Sequence, residues 1–261
     1  MFHYFGYGSN INLISLKAKG VEPDSSEWGM IPGWRLKFNV QHWFRHEGGV
    51  GNIEPTADES NHVEGMLHTC EDRYLANLDT MEAYGVGYDR ILVDVTTRKG
   101  TVKAFAYVGL PDQINEQCLP SRRYLNIIIK GAMEAGLSEE YIERLRMHPV
   151  HIPEDYPEYI IPKVGTVFNA DSLAHHPYYT AVAGAVFDMS KARKQLECLW
   201  DLFGGKDTTL FHLRRLDSSN GTETLEDVIH GRISEQGKNY LNAYLHEYNR
   251  EFRFIGRYHY Q

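Results

Sequence analysis

Segments with the two-residue period of a β-strand recur through the first 110 residues, and this pattern limits the fold more than any other feature. Side chains of a strand point alternately to its two faces, so the period predicts half-buried strands. The segment from Gly20 to Trp28 is polar and turn-rich, and we expect a loop there. The predicted strands are 2–7, 34–40, 63–70, 88–97 and 102–110, the last two forming a hairpin. Helical spacing interrupts them, which indicates an α+β fold.

The helix predicted over 72–82 ends on an unusual residue. Its apolar face carries Leu75, Leu78 and Met81, and Glu82 falls on the same face. A carboxylate there lies in a low dielectric beside the negative end of the helix dipole, and both effects favour its protonated form. Glu82 is therefore a candidate acid or base. The alternative is a glutamate turned to solvent or paired with Arg90, because glutamate is usually exposed.

A second candidate feature is the N-terminal stretch Tyr4-Phe5-Gly6-Tyr7-Gly8-Ser9-Asn10. It predicts a short buried strand that runs into a tight loop. Glycines let the backbone approach other groups closely, and successive N–H groups of such a loop can bind an anion or an oxyanion. An ordinary strand followed by a turn is the alternative, since clusters of Gly, Ser and Asn usually mark turns.

The remainder of the chain is predicted to be mainly helical. Helices are expected at 122–135, after Pro120-Ser121, and at 139–147. Four prolines in 148–165 indicate an extended crossover between 1–147 and an α-rich extension, 166–261. Within the extension we expect a strand at 180–188 and helices at 190–203, 224–230 and 234–252. The aromatic tail Tyr240 to Tyr260 is expected to pack on the first module; a surface for a partner or for a second copy in a homodimer is the alternative.

Charge and composition exclude several classes of function. The net charge is −8 and neither half is basic, which argues against a nucleic acid or an anionic membrane as partner. No run of ~18 apolar residues is present, so we expect no membrane span. Three widely spaced cysteines, and no sign of a signal peptide, favour a cytoplasmic protein. The 13 histidines include no helical pair with a carboxylate partner, so no metal site is expected.

Five motifs, in order, resemble those of the γ-glutamylcyclotransferase family. The N-terminal loop is similar to its Y-x-x-Y-G-S-N signature, and Leu78-Asp79-x-x-Glu82 resembles the helix end that carries its catalytic glutamate. The other three similarities are Gly48-Gly49-Val50, Glu64-Gly65-Met66 and the helix that starts at Pro120-Ser121-Arg122-Arg123-Tyr124. The resemblance covers about residues 1–147 and does not extend to the C-terminal part.

This resemblance implies a small mixed β-barrel with flanking helices and a cyclotransferase activity without a cofactor. A small γ-glutamyl amide or amine is the implied substrate, which closes to 5-oxoproline and releases an amine or an amino acid. It also implies that Glu82 is the general base and acid, and that the substrate contacts Tyr4, Phe5, Gly6, Tyr7, Gly8, Ser9 and Tyr124.

The sequence departs from the family at Ala83, which stands where the family usually has glycine. The leaving group of the substrate stays open at this point. Two alternatives remain: a non-catalytic module that binds a small molecule or a protein, and a relative that hydrolyses its substrate with water. Tyr88 and Tyr107 are expected to pack in the core, with a place in the pocket wall as the alternative.

Overall fold

The computed structural model describes residues 1–260 and divides the chain into two compact units. The first comprises Met1–Trp43 and Glu47–Ile152; the second comprises Phe44–His46 and the chain from Pro153 onward. The division after Ile152 falls within the proline-rich segment 148–165. Nothing in the sequence indicated that the three residues Phe44–His46 belong with the C-terminal unit.

A closed five-stranded barrel forms the first unit and confirms the predicted α+β class. The strand order is β1-β5-β2-β6-β7. β1 pairs parallel to β7 at Tyr4 and Phe105, whereas the other neighbours are antiparallel, so the barrel is mixed. β3 and β4 form a separate antiparallel pair. The strands are β1 (Phe2–Gly6), β2 (Ser25–Pro32), β3 (Trp34–Gln41), β4 (Gly49–Pro55), β5 (His62–Cys70), β6 (Tyr88–Thr97) and β7 (Gly100–Gly109).

The loop expected between Gly20 and Trp28 is wrong in its second half, because strand β2 begins at Ser25. It contains Gly29 and Pro32, two residue types that are rare in strands, but it pairs with β5 along its whole length, from Ser25 to Pro32. A Cβ at Gly29 would lie 2.6 Å from the side chain of Val95, so this strand needs glycine to pack inside the barrel. Tertiary pairing overrides local propensity here.

Helices cover the barrel near the N-terminal loop. A 3₁₀ turn, Asp72–Tyr74, leads into α2 (Leu75–Met81). Ser121 caps α3 (Arg122–Ala135), and Ser138 caps α4 (Glu139–Arg146). A Cβ at Gly131 of α3 would lie 2.6 Å from the backbone of Asn12, so this glycine lets α3 approach the loop closely. The helices are α1 (Leu13–Ala18), α2 (Leu75–Met81), α3 (Arg122–Ala135) and α4 (Glu139–Arg146).

The second unit contains a five-stranded sheet in addition to its helices. The strands lie in the order β11-β9-β10-β12-β8, and among the described residues the helices contain more residues than the strands. The elements are β8 (Thr166–Phe168), α5 (Ala170–Ala174), β9 (Tyr179–Val182), β10 (Ala185–Asp188), α6 (Leu199–Phe203), β11 (Lys206–Asp207), α7 (Thr209–Leu213), α8 (Leu225–Ile229), α9 (Glu235–Glu251) and β12 (Arg253–Tyr258).

Two expectations for this unit need correction. The single strand predicted at 180–188 is a hairpin, because the chain turns at Ala183 and Gly184. The helix predicted at 190–203 is reduced to a 3₁₀ turn, Lys194–Leu196, and α6. No helix within residues 1–260 is long and apolar enough to cross a membrane.

The long helix α9 supplies the aromatic core of the second unit. Its tyrosines Tyr240, Tyr244 and Tyr248 are buried. Phe44 packs on the rings of Tyr244 and Tyr248, with ring centroids 5.5 and 5.2 Å apart. These contacts explain why Phe44 belongs to this unit.

Candidate active site

Glu82 lies at the end of α2 with its side chain turned inward. Its backbone N–H donates to the carbonyl of Leu78, and the residue adopts the C-cap conformation. The side chain is only 16% exposed. This is the orientation that the helical spacing predicted, and it differs from the solvent-facing alternative.

A small polar network holds one carboxylate oxygen of Glu82. The side-chain amide of Asn10 donates to Oε1 over 2.9 Å, and the ammonium of Lys19 lies 3.4 Å from the same oxygen. Lys19 Nζ also donates to Asn10 Oδ1 at 2.6 Å and to Ser9 Oγ at 3.3 Å. The glutamate and the end of the N-terminal loop are therefore joined through two shared partners, although 72 residues separate Asn10 from Glu82.

Asp79, the other acid of the L-D-x-x-E motif, has a structural role. Its carboxylate accepts hydrogen bonds from Arg90 at 2.7 and 2.6 Å and from the hydroxyl of Tyr107 at 2.6 Å. These bonds fasten α2 to β6 and β7. Arg90, which the sequence offered as an alternative partner of Glu82, thus pairs with Asp79.

The predicted binding residues from Tyr4 to Tyr7 occupy different environments. The Tyr4 hydroxyl accepts a hydrogen bond from the Asn10 amide, 2.5 Å away, and so belongs to the Glu82 network. Phe5 is fully buried in the barrel core, so its side chain lies away from that network. The Tyr7 hydroxyl donates to the carbonyl of Tyr107. A Cβ at Gly6 would lie 3.2 Å from both the Asn10 backbone and the His68 ring.

Tyr124 lies against the second half of the loop. Its hydroxyl accepts a hydrogen bond from the backbone N–H of Gly51, at 3.0 Å. A Cβ added at Gly8 would lie 2.9 Å from this hydroxyl, so glycine is needed for the loop to approach the ring. Tyr88 donates to the carbonyl of Gly51 at 2.8 Å. Gly8, Gly51 and Tyr124 therefore form a second group of contacts beside the network at Glu82.

Burial keeps the surrounding phenols neutral. Burial, with a smaller contribution from the charge of Glu82, raises the pKa of Tyr4, Tyr7 and Tyr88 well above the usual value. The pKa of Tyr107 and that of Tyr124 are also raised, chiefly by burial. At neutral pH these hydroxyls are therefore hydrogen-bond donors and acceptors without charge.

The ring of His68 supports the N-terminal loop through a contact with Asn10. Its ring contacts the Asn10 carbonyl at 3.0 Å and the Ser26 hydroxyl at 2.7 Å. Burial lowers the pKa of His68 to about 4, so the ring is neutral over the physiological range.

Lys19 is the site residue that the sequence did not reveal. A lysine is usually solvated, and no motif in the sequence set this one apart. The structure caps α1 with Lys19 and buries its side chain to 6% exposure. Asn10 links the loop to the glutamate, because its side-chain amide donates to both Tyr4 and Glu82. Within residues 1–260, no three His, Cys, Asp or Glu side chains are grouped so that they could hold a metal ion.

Comparison with known proteins supports the motif resemblance. The model of the AIG2-like family matches residues 62–145. The γ-glutamylcyclotransferase of Mus musculus is 29% identical over 153 residues, which are 56% of this chain and 77% of the mouse protein. A γ-glutamyl cyclotransferase of Claviceps purpurea is 26% identical over 149 residues, 54% of this chain and 67% of the fungal protein.

A solved structure is similar to the N-terminal part of the chain in fold. A solved structure described as a γ-glutamyl cyclotransferase superposes with a TM-score of 0.50 and 25% identity, and the match covers 61% of this chain and 92% of that one. The family model ends at residue 145, before Pro153, where the long C-terminal part of the second unit begins. In sequence and in fold, the N-terminal unit is γ-glutamylcyclotransferase-like.

Proposed function

We propose that the N-terminal unit cyclises a γ-glutamyl amide or amine to 5-oxoproline and releases an amine or an amino acid. The observation that carries the proposal is the convergence of the inward Glu82 carboxylate and the Tyr4–Asn10 loop on the shared partners Asn10 and Lys19. Names of the related proteins agree with this chemistry.

The reaction requires one group that first accepts and then donates a proton. The α-amine of the substrate attacks its own γ-carbonyl carbon, which forms the ring C–N bond. An α-ammonium has a pKa near 8 and must lose a proton before it can attack. The bond to the leaving nitrogen then breaks, and that nitrogen takes up a proton, so no water is consumed. A partly buried carboxylate such as Glu82 suits both transfers.

The reaction also requires groups that bind the substrate and the tetrahedral oxyanion, and the N-terminal loop and Tyr124 are candidates for both tasks. Backbone N–H groups of Gly8 and Ser9 are candidates to hold the substrate and the tetrahedral oxyanion, a contact worth roughly 3–4 kcal/mol in comparable enzymes. Tyr124 is a candidate wall for the glutamyl group, because its hydroxyl lies against Gly8 and Gly51. Ring closure is intramolecular, so a folded substrate pose lowers much of the barrier.

Turnover with defined substrates tests the proposal. Purified full-length protein is incubated with γ-glutamyl dipeptides, glutathione and γ-glutamylamines, and 5-oxoproline is quantified by mass spectrometry. We expect one class to react, and Glu82→Gln to reduce kcat at least about 100-fold, the usual contribution of general acid–base catalysis. Glu71→Gln is the matched control, because this carboxylate lies near the start of the same helical segment and is 47% exposed. Equal turnover by both variants, or none by the wild type with any class, would overturn the proposal.

The same panel separates cyclisation from hydrolysis. A hydrolase would release glutamate that carries oxygen-18 from labelled water. Cyclisation releases 5-oxoproline without label in the ring carbonyl. The class of γ-glutamyl compound that reacts fastest identifies the leaving group.

A further inference from the structure

We propose that Lys19 is a positioning residue for this reaction: its ammonium and the Asn10 amide hold Oε1 of Glu82 and leave Oε2 for the substrate amine. The inference rests on the proposed function for its kinetic consequences, whereas the charge coupling that it requires can be measured without turnover.

The contacts of Lys19 fix its ammonium at one place. Nζ lies within 3.5 Å of three acceptors, Ser9 Oγ, Asn10 Oδ1 and Glu82 Oε1. A lysine with 6% side-chain exposure has lost most of its hydration, and it is retained in that state only where acceptors replace the water. Its position at the C-cap of α1 adds the favourable negative end of that helix dipole.

The two oxygens of Glu82 have different surroundings. Oε1 accepts from Asn10 and faces Lys19, whereas we find no hydrogen bond to Oε2 within residues 1–260. One oxygen thus fixes the orientation of the carboxylate and the other is available to exchange a proton. Since Lys19 favours the ionised form of a neighbouring carboxylate, it prepares Glu82 to act first as a base.

The aromatic groups that face Glu82 are uncharged at neutral pH. The tyrosines from β1, β6, β7 and α3 have a raised pKa, and His68 behind Asn10 has a pKa of about 4. Asp79 on the same helix is paired with Arg90. Removal of the Lys19 charge therefore acts on the Glu82 carboxylate, whose Oε1 lies 3.4 Å from Nζ.

The first test measures the charge coupling in the absence of substrate. Carboxyl carbons of glutamate are labelled with carbon-13, and the Glu82 signal is assigned by its loss in Glu82→Gln. In Lys19→Met its titration midpoint should move about 1 pH unit or more to higher pH, the usual effect of removing an opposite charge within 4 Å. Lys17→Met is the matched control, because Lys17 lies on the same helix and is exposed.

The second test is kinetic. In Lys19→Met, kcat should fall while KM changes little, and the acid limb of the kcat/KM profile should move to higher pH. Lys19→Arg should restore the limb because it restores the charge, whereas Lys19→Gln keeps a donor and should not. A wild type inert toward every γ-glutamyl compound refutes the proposed function, and the carbon-13 titration still decides the role of Lys19.

Two results would overturn the inference. One is a Glu82 midpoint that is the same in Lys19→Met and the wild type. The other is a uniform loss of rate at all pH values with an unmoved acid limb, which a brace for the loop would produce. If Lys19→Met does not fold, the comparison of Lys19→Gln with Lys19→Arg gives the same decision.

Discussion

The close approach of Gly8 to Tyr124 predicts an energetic coupling between these two residues. An alanine at position 8 would place its Cβ 2.9 Å from the Tyr124 hydroxyl. Displacement of the hydroxyl costs free energy, because the hydroxyl accepts a hydrogen bond from the buried N–H of Gly51. Gly8→Ala should therefore clash in the wild type and fit in Tyr124→Phe, where the oxygen is absent.

The magnitudes follow from the two contacts. Overpacking by one methyl group should lower the free energy of unfolding by about 1–3 kcal/mol. Tyr124→Phe leaves the Gly51 N–H without its acceptor, at a cost of about 1–2 kcal/mol. If the clash is with the hydroxyl, the double variant should cost about 1–2 kcal/mol less than the sum of the single variants.

Urea unfolding measures this coupling. Three of the four tryptophans, Trp28, Trp34 and Trp43, belong to the first unit, so a Trp200→Phe background confines the fluorescence signal to that unit. Gly87→Ala is the control, since its Cβ would meet nothing closer than 3.4 Å and Tyr124 is not among its neighbours. Additive costs for Gly8→Ala and Tyr124→Phe would refute the geometry of the loop described above.

Two further predictions concern stability around the site. Ala83 has a left-handed backbone (φ 47°), so Ala83→Gly should raise the free energy of unfolding by about 0.5–1 kcal/mol. Ala76→Gly, on the exposed face of α2, is the control and should lower the free energy of unfolding by a similar amount. A lower free energy of unfolding in both variants would contradict backbone strain at Ala83. Burial opposes ionisation of Glu64, but hydrogen bonds from Ser138 and Trp28 outweigh it and lower its pKa. This stabilisation is present above the unfolded pKa of about 4.3 and is lost as pH falls through the folded pKa. In urea unfolding, Glu64→Gln should therefore lower the free energy of unfolding strongly at pH 7 and less toward pH 3. A loss of stability that does not change with pH would refute the prediction.

Most of the barrel strands and the inward orientation of Glu82 could be predicted from the sequence because their signals are local. Alternation identified four of the five barrel strands, and helical spacing placed Glu82 on an inward face. Strand β2 was missed because pairing with β5, not propensity, stabilises it. Lys19 was missed because nothing local distinguishes a lysine that reaches a distant carboxylate from one that is solvated.

The left-handed Ala83 explains how the chain tolerates a departure from the family glycine. Its carbonyl accepts hydrogen bonds from the N–H groups of Val86 and Gly87, at 2.9 and 2.8 Å. These bonds close the turn after α2 and hold the conformation in spite of its cost, about 1–2 kcal/mol for a residue with a Cβ. The turn after α2 therefore keeps a left-handed residue at this position although the residue carries a Cβ.

Two carboxylates three residues apart carry out different tasks because their partners differ. Asp79 has both oxygens bound, by Arg90 and Tyr107, which makes it an anchor between α2 and the strands. Glu82 has one oxygen held by Asn10 and Lys19 and the other open. A helix places residues at i and i+3 on neighbouring parts of one face, so spacing alone brings both acids to the barrel. These partners come from strands and loops far along the chain. In the proposed reaction, their allocation decides which of the two acids exchanges a proton with the substrate.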